Sequence, residues 1–138
     1  MLTNKEASGM IKNVHHINFL VKELDRAVAA FRKLSNVQPE FEALPSRGAN
    51  SARFQLGNTW LVFVSPIDEH GTIASILKHK GEGIFLISFG SDDISKTLSG
   101  LPGNPRSGDA RKGLANWHVQ DVSLDYDFGP ILQLCEED

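Results

Sequence analysis

The chain has 138 residues, a formal net charge of −3 and a single cysteine, Cys135. This length is enough for one domain with a hydrophobic core, and no apolar run approaches the roughly 20 residues of a membrane-spanning helix. The acidic balance lacks the basic face that nucleic acids require, and one cysteine excludes an internal disulfide and a cysteine-rich zinc site. We therefore expect a cytoplasmic protein with no nucleic-acid and no membrane partner, and no secretory signal in its first ten residues.

Hydrophobic periodicity predicts a strand, a helix and three more strands in the first half of the chain. Residues 14–21 are mostly apolar and rich in strand-forming residues, which favours a strand. Within residues 22–34, Leu24, Val28 and Phe31 recur at near-helical spacing between charged residues, which indicates an amphipathic helix. The three further strands are predicted over residues 40–44, 52–56 and 59–64.

After a short helix over residues 71–80, the second half repeats this order. Residues 102–113 are rich in glycine, proline, arginine and lysine, which is typical of a mobile loop. The remaining elements are a strand, a helix and two strands, predicted over residues 84–89, 91–101, 117–122 and 130–135.

An offset of 70 residues brings the two halves into register, so that residues 16–19 align with residues 86–89. Three helix positions then coincide in chemistry: Leu24 with Ile94, Val28 with Leu98, and Phe31 with Leu101. Agreement in both a strand and a helix predicts two copies of a βαβββ module. We expect an α+β fold in one domain, 1–138, with modules at residues 12–65 and 84–138 and a connecting helix segment at residues 66–83.

Four short motifs stand at the borders of these elements: His16-Ile17 leading into Val21-Lys22-Glu23-Leu24-Asp25, Leu56-Gly57-Asn58-Thr59, Lys80-Gly81-Glu82-Gly83-Ile84 and Ser91-Asp92-Asp93-Ile94. Through them the chain resembles the vicinal oxygen chelate superfamily, which includes glyoxalase I, the bleomycin-resistance proteins and methylmalonyl-CoA epimerase. The likeness is closest to the epimerase branch. It implies a half-barrel around a central cavity, a homodimer, and one divalent metal that stabilises an enediolate.

By position, the four metal-ligand sites that the resemblance implies fall on His16, Val62, Leu86 and Gln133. Valine and leucine have no lone pair to donate, and one histidine with one glutamine is too few ligands for a tight divalent site. We therefore expect neither a metal nor another cofactor. The alternative is a divalent ion held by His16, His118 and Gln133, with His118 on a predicted strand of the second module.

Strand alternation extends these positions to a predicted cavity lining. If His16 and Val62 face inward, so do Asn18 and Trp60, while their strand neighbours pack under the helix. In the second module the same rule places Ser88 beside Leu86. The expected substrate-binding residues are therefore Asn18, Trp60, Val62, Leu86, Ser88, His118 and Gln133. The plainer interpretations are a core or interface aromatic for Trp60 and an edge-strand residue for Gln133. Asn18 and Ser88 occupy matched repeat positions, which shared ancestry of the two modules also explains.

Three basic residues, Arg106, Arg111 and Lys112, lie among the glycines of the predicted loop. A lid over the cavity mouth could use them to clamp an anion, whereas the plainer interpretation is a solvated loop.

These residues support two hypotheses for the function. The first is a binding protein that holds an apolar or acyl small molecule in the cavity without a metal, which the apolar Val62 and Leu86 favour. The second is a lyase or isomerase in which His16 is the general acid or base on an acyl-CoA or dicarbonyl substrate. A module that serves protein assembly alone is a third interpretation, which the polar cavity residues disfavour.

Overall fold

The computed structural model describes residues 10–137 and divides them into two compact units. The first unit is His16–Phe85, and the second comprises residues 10–15 and 86–137. The helices and strands of the described residues are β1 (Ile11–Leu20), α1 (Leu24–Arg32), β2 (Glu40–Leu44), β3 (Ala49–Leu56), β4 (Thr59–Pro66), α2 (Thr72–Lys80), β5 (Gly83–Ser91), α3 (Ile94–Ser99), β6 (Arg111–Lys112), β7 (His118–Val122) and β8 (Ile131–Glu136). None of these helices combines the length and the apolar composition that crossing a membrane requires.

In the first unit the strands lie in the order β2-β3-β4-β1, with β1 parallel to β4 and the other pairs antiparallel. α1 packs on one face of this sheet because Leu24, Val28 and Phe31 form a single apolar stripe. They contact Phe54 and Phe63, and the ring of Phe54 lies 4.8 Å from that of Phe31 and 6.0 Å from that of Phe63. The core of this unit is therefore aromatic, and each edge-on ring pair adds about 0.5–1.5 kcal/mol beyond burial.

In the second unit the strands lie in the order β5-β8-β7-β6, with β5 parallel to β8. α3 packs on this sheet through Ile94 and Leu98, which contact Leu134 with Phe89 and Leu101 at the edge. These positions are the repeat equivalents of the α1 stripe and its strand partner. The predicted α+β fold with two βαβββ modules is confirmed, as β1-α1-β2-β3-β4 and β5-α3-β6-β7-β8.

α3 has six residues, Ile94–Ser99, and is shorter than the predicted helix over residues 91–101. Asp93 is extended backbone, and its carboxylate accepts a hydrogen bond of 2.9 Å from the Lys96 backbone N–H, so the helix begins after it. Gly100 follows the last helical residue. An apolar cavity of about 630 Å³, lined mainly by strand and loop side chains, lies beside this short helix.

Residues 102–113, which the composition predicts to be a mobile loop, are held to β7. Arg111–Lys112 pair with β7 as the short strand β6. The fully buried amide of Gln120 accepts a hydrogen bond of 2.7 Å from Arg106 and donates to the carbonyl oxygens of residues 107–108 at 3.2 and 3.1 Å. The stretch has no hydrophobic period, but one buried side chain from a neighbouring strand donates to two of its backbone carbonyls.

Candidate functional site

The sheet of the second unit has one face under α3 and one face turned away from it. Phe89 and Leu134 pack against α3, so alternation places Ser88, Gln133 and Cys135 on the opposite face. The strand register agrees, because Ser88 pairs with Gln133 across β5 and β8. We call the face formed by Ser88, Arg111, Asp121, Gln133 and Cys135 the polar face.

Gln133 is fixed on the polar face by a short chain of hydrogen bonds. Its Nε2 donates to Asp121 Oδ1 at 3.0 Å, and Arg111 Nη2 donates to the same oxygen at 3.3 Å. Since a carboxylate accepts and does not donate, this contact sets the orientation of the amide. Gln133 is 3% exposed, and its Oε1 has no hydrogen-bond partner among the described residues. The site therefore presents one buried, oriented acceptor.

Cys135 lies next to this acceptor and is 1% exposed. Burial is the main cause that raises the pKa of its thiol from the ordinary 9.0 to about 12. The Glu137 carboxylate acts in the same direction, and the Ser88 hydroxyl opposes it. The thiol is thus uncharged near neutral pH and is a weak nucleophile there.

His15 is a buried member of the second unit that the sequence did not single out. Its Nε2 lies 3.0 Å from Glu137 Oε2, and its ring meets the edge of Trp117 with 4.5 Å between ring centroids. The pair of adjacent histidines was the available signal, because consecutive residues of a strand point in opposite directions. Only His16 was assigned a role from the sequence.

In the first unit, the sheet face turned away from α1 carries the other predicted residues. The register places His16 beside Trp60, and Asn18 beside Val62. Asn18 Oδ1 is buried and has no hydrogen-bond partner among the described residues. The four predicted residues of this unit therefore share one sheet face, as alternation predicted.

Arg53 and two glutamates lie on the same face, and sequence reasoning missed them. Arg53 Nη1 donates to Glu42 Oε1 at 2.7 Å, and Arg53 Nε lies 3.7 Å from Glu40 Oε2. The guanidinium carbon stands 5.5 Å from the ring centroid of Trp60, which is within cation–π range. The available signal was the alternation of Glu40 and Glu42 with an arginine on the next strand, since cross-strand charge pairs such as Glu40 and Arg53 stabilise a sheet.

His118 does not join Gln133, contrary to the alternative metal cluster expected from the sequence. The register pairs His118 with Glu136, and Gln133 with Asp121. Residues 118 and 121 are an odd number of positions apart on one strand, so they point to opposite faces. His118 lies with Ile94 and Glu136 in a pocket of about 400 Å³ on the α3 side of the sheet. The prediction of a metal held by both His118 and Gln133 is therefore wrong.

The residues at the metal positions implied by the resemblance do not fit that metal. Val62 and Leu86, two of the four, are buried at 0% and 3% exposure. Neither side chain has a donor atom, and a divalent ion in a protein needs oxygen, nitrogen or sulfur ligands. These four positions therefore do not form the metal site that the resemblance implies.

Solved structures with the same fold include epimerases. Methylmalonyl-CoA epimerase from Mycobacterium tuberculosis is 20% identical, with a TM-score of 0.82 over 100% of this chain and 93% of that chain. A hypothetical protein from Bacillus halodurans C-125 is 21% identical, with a TM-score of 0.81 over 91% and 94% of the two chains. A methylmalonyl-CoA epimerase in complex with methylmalonyl-CoA and NH4+ is 18% identical, with a TM-score of 0.80 over 92% and 95%.

Sequence comparison identifies the family. No curated protein matches the chain significantly. The sequence profile of the glyoxalase/bleomycin resistance protein/dioxygenase superfamily matches residues 15–119, which is most of the chain. This match agrees with the resemblance carried by the sequence motifs, and the chain belongs to the glyoxalase/bleomycin resistance protein/dioxygenase superfamily.

Proposed function

We propose that this chain binds a small organic molecule at the polar face, without the four-ligand metal that the family resemblance implies. The observation that carries the proposal is the Gln133 carbonyl oxygen, which is buried, oriented and without a hydrogen-bond partner among the described residues. The ligand class is an apolar or acyl molecule that carries a hydroxyl or N–H donor.

Energetics support a ligand at this position. A buried acceptor without a donor costs about 1–3 kcal/mol, so a ligand that supplies the donor recovers that free energy on binding. Arg111 and Asp121 hold the Gln133 amide in place before any ligand arrives, which lowers the entropy cost of binding. Leu86 and Ile131, paired across β5 and β8, offer apolar surface next to this acceptor.

The test begins with native mass spectrometry of protein purified from its own host, which gives the mass of any bound molecule. A panel of acyl and aromatic compounds with a donor group is then screened by calorimetry. Gln133→Leu is expected to weaken binding about fivefold, as the loss of one net hydrogen bond of about 1 kcal/mol predicts. Gln55→Leu, at an exposed glutamine, is the matched control and leaves affinity unchanged.

Two results contradict this proposal. One is a chain that carries no organic molecule and binds none of the panel. The other is a ligand whose affinity is the same in the wild type and in Gln133→Leu.

An epimerase-type enzyme is the second candidate, favoured by the epimerases among structures of the same fold. In it, buried His16 moves the proton of a carbon acid next to a thioester, and hydrogen-bond donors stabilise the enolate. The test incubates the chain with an acyl-CoA in D2O and follows deuterium at the α-carbon by mass spectrometry. Exchange that His16→Ala abolishes supports this candidate, and no exchange above the buffer rate contradicts it.

The proposal includes a second copy of this chain as a partner and a cytoplasmic location. The family resemblance supports the homodimer, and the single cysteine supports a reducing compartment. Light scattering on the purified chain gives its mass in solution, and the mass of one chain contradicts the homodimer.

A further inference from the structure

We infer that the second unit holds a transition-metal site made by His15, Cys135 and Glu137. None of these three residues is at a ligand position that the family resemblance implies. Cys135 lies on the polar face next to Gln133, but the metal uses none of the hydrogen bonds of Gln133, so the inference does not rest on the proposed function.

The donor atoms of Cys135 and Glu137 both lie close to His15. His15 Nε2 lies 3.0 Å from Glu137 Oε2. The metal-binding atoms of His15 and Cys135 lie within 4.8 Å of each other. Cys135 lies in β8, and Glu137 directly follows the last residue of that strand, Glu136. The His15 imidazole therefore has both a carboxylate and a thiol sulfur as neighbours.

Two of the three donor residues are buried, and the third is exposed to solvent. His15 and Cys135 are 5% and 1% exposed, whereas the Glu137 side chain is 59% exposed. A metal ion can reach the inner donors from the Glu137 side. Residues 1–15 and 86–138 carry ten acidic and six basic side chains, so the charge of this part of the sequence attracts cations.

The donor set matches zinc and its neighbours in the first transition row. Zinc takes nitrogen, sulfur and oxygen ligands at about 2.0–2.3 Å, which places neighbouring donor atoms roughly 3–4 Å apart around a tetrahedral ion. On binding, the ion displaces the thiol proton: Cys–SH and M²⁺ give a Cys–S⁻–M²⁺ bond and one H⁺ released to solvent. Three protein ligands leave one position for water or a ligand atom.

The probe is Co²⁺, added to the full chain under reducing conditions. A cobalt–thiolate bond gives a near-ultraviolet charge-transfer absorption that imidazole or carboxylate ligands alone do not give. The second readout is fluorescence in a Trp60→Phe background, where Trp117 is the remaining tryptophan. Because Trp117 contacts His15, bound Co²⁺ quenches its emission. Both signals are expected to saturate at one ion per chain.

Four variants distinguish a metal at this site from a metal bound elsewhere on the chain. Cys135→Ser is expected to abolish the charge-transfer band. Glu137→Gln, at an exposed position that folding tolerates, is expected to weaken Co²⁺ binding by about tenfold or more. Two controls are expected to keep both signals: His79→Gln, at an exposed histidine, and Gln133→Leu, at the proposed ligand position.

Three outcomes overturn the inference. The first is no Co²⁺ binding, which leaves the contact between His15 and Glu137 without a metal. The second is binding that survives Cys135→Ser and Glu137→Gln unchanged. The third is binding that Gln133→Leu abolishes, which moves the metal to the family position and overturns the proposed function as well.

Discussion

The thiol of Cys135 shows how burial of one side chain makes stability depend on pH. In the folded chain its pKa is raised to about 12, whereas in the unfolded chain it has the ordinary value of 9.0. Below pH 9 both states hold the proton and this group adds no pH dependence. Above pH 9 the unfolded chain loses the proton first, so stability falls as pH rises toward 12.

We expect the free energy of unfolding to fall with a slope that approaches about 1.4 kcal/mol per pH unit above pH 9. Urea unfolding of the wild type and of Cys135→Ala across this range measures the slope. The difference between the two proteins isolates the thiol from other groups that titrate there. Parallel curves for the two proteins would show that the thiol ionises equally in both states.

At the residue scale, the sequence predicted which side chains share a sheet face but not what holds them. Alternation places Ser88 and Gln133 on one face, and the structure agrees. The hydrogen bonds from Arg111 and Gln133 to Asp121 join β6, β7 and β8. They depend on a strand register that a single sequence does not contain, and β6 itself has only two residues.

At the scale of elements, the start of α3 is set by one of two adjacent aspartates. Asp93 caps the helix through the Lys96 backbone N–H. Asp92 instead pairs with Lys12 at 2.6 Å, with both side chains exposed. These neighbours have the same chemistry and differ in what they contact.

Asp93→Ala is expected to lower the free energy of unfolding by about 1 kcal/mol, because the first turn of α3 loses its cap. Asp92→Ala is the matched control and is expected to change it by less than about 0.5 kcal/mol, since exposed ion pairs contribute little. Urea unfolding of both variants decides between them. Equal losses, or a larger loss for Asp92→Ala, would place the cap at the wrong aspartate.

Elements of five or more residues were predictable, whereas the two-residue strand β6 was not. β2 was predicted with its observed bounds, Glu40–Leu44, and α1 was predicted from its apolar stripe. β6 was missed because two charged residues, Arg111 and Lys112, carry no periodicity. Their strand conformation comes from pairing with β7, which is a tertiary cause.

At the scale of the whole molecule, the repeat is the feature that the sequence predicted best. The offset of 70 residues matched Leu24 with Ile94 and Val28 with Leu98, and all four lie in the helix–sheet cores of their units. Local packing produces this pattern, so it is visible in one sequence. The His15–Glu137 contact joins residues 122 positions apart, which no local pattern reports.

Amide hydrogen exchange across the chain is expected to show residues 106–108 more protected than residues 123–130. Both segments are largely exposed, but the first is held by the Gln120 amide and by the Ser107 N–H, which donates to the Asp121 carbonyl at 2.9 Å. Gln120→Leu is expected to raise exchange at residues 106–108 and to cost about 1–3 kcal/mol for each backbone carbonyl left without a donor.

Gln55→Leu, an exposed counterpart, serves as the control for that measurement and is expected to leave the exchange pattern as in the wild type. Equal protection of residues 106–108 in the wild type and Gln120→Leu would mean that pairing with β7 holds the segment without the buried amide.

The reactivity of Cys135 reports how often β8 opens locally. The sequence has one thiol, and the structure buries it in β8. A thiol reagent can therefore react only in the moments when β8 has separated from its surroundings. With excess reagent, the labelling rate divided by the rate for the unfolded chain is the equilibrium constant for that opening. The rate at which the mass of the labelled chain appears thus gives the local stability of one strand, β8.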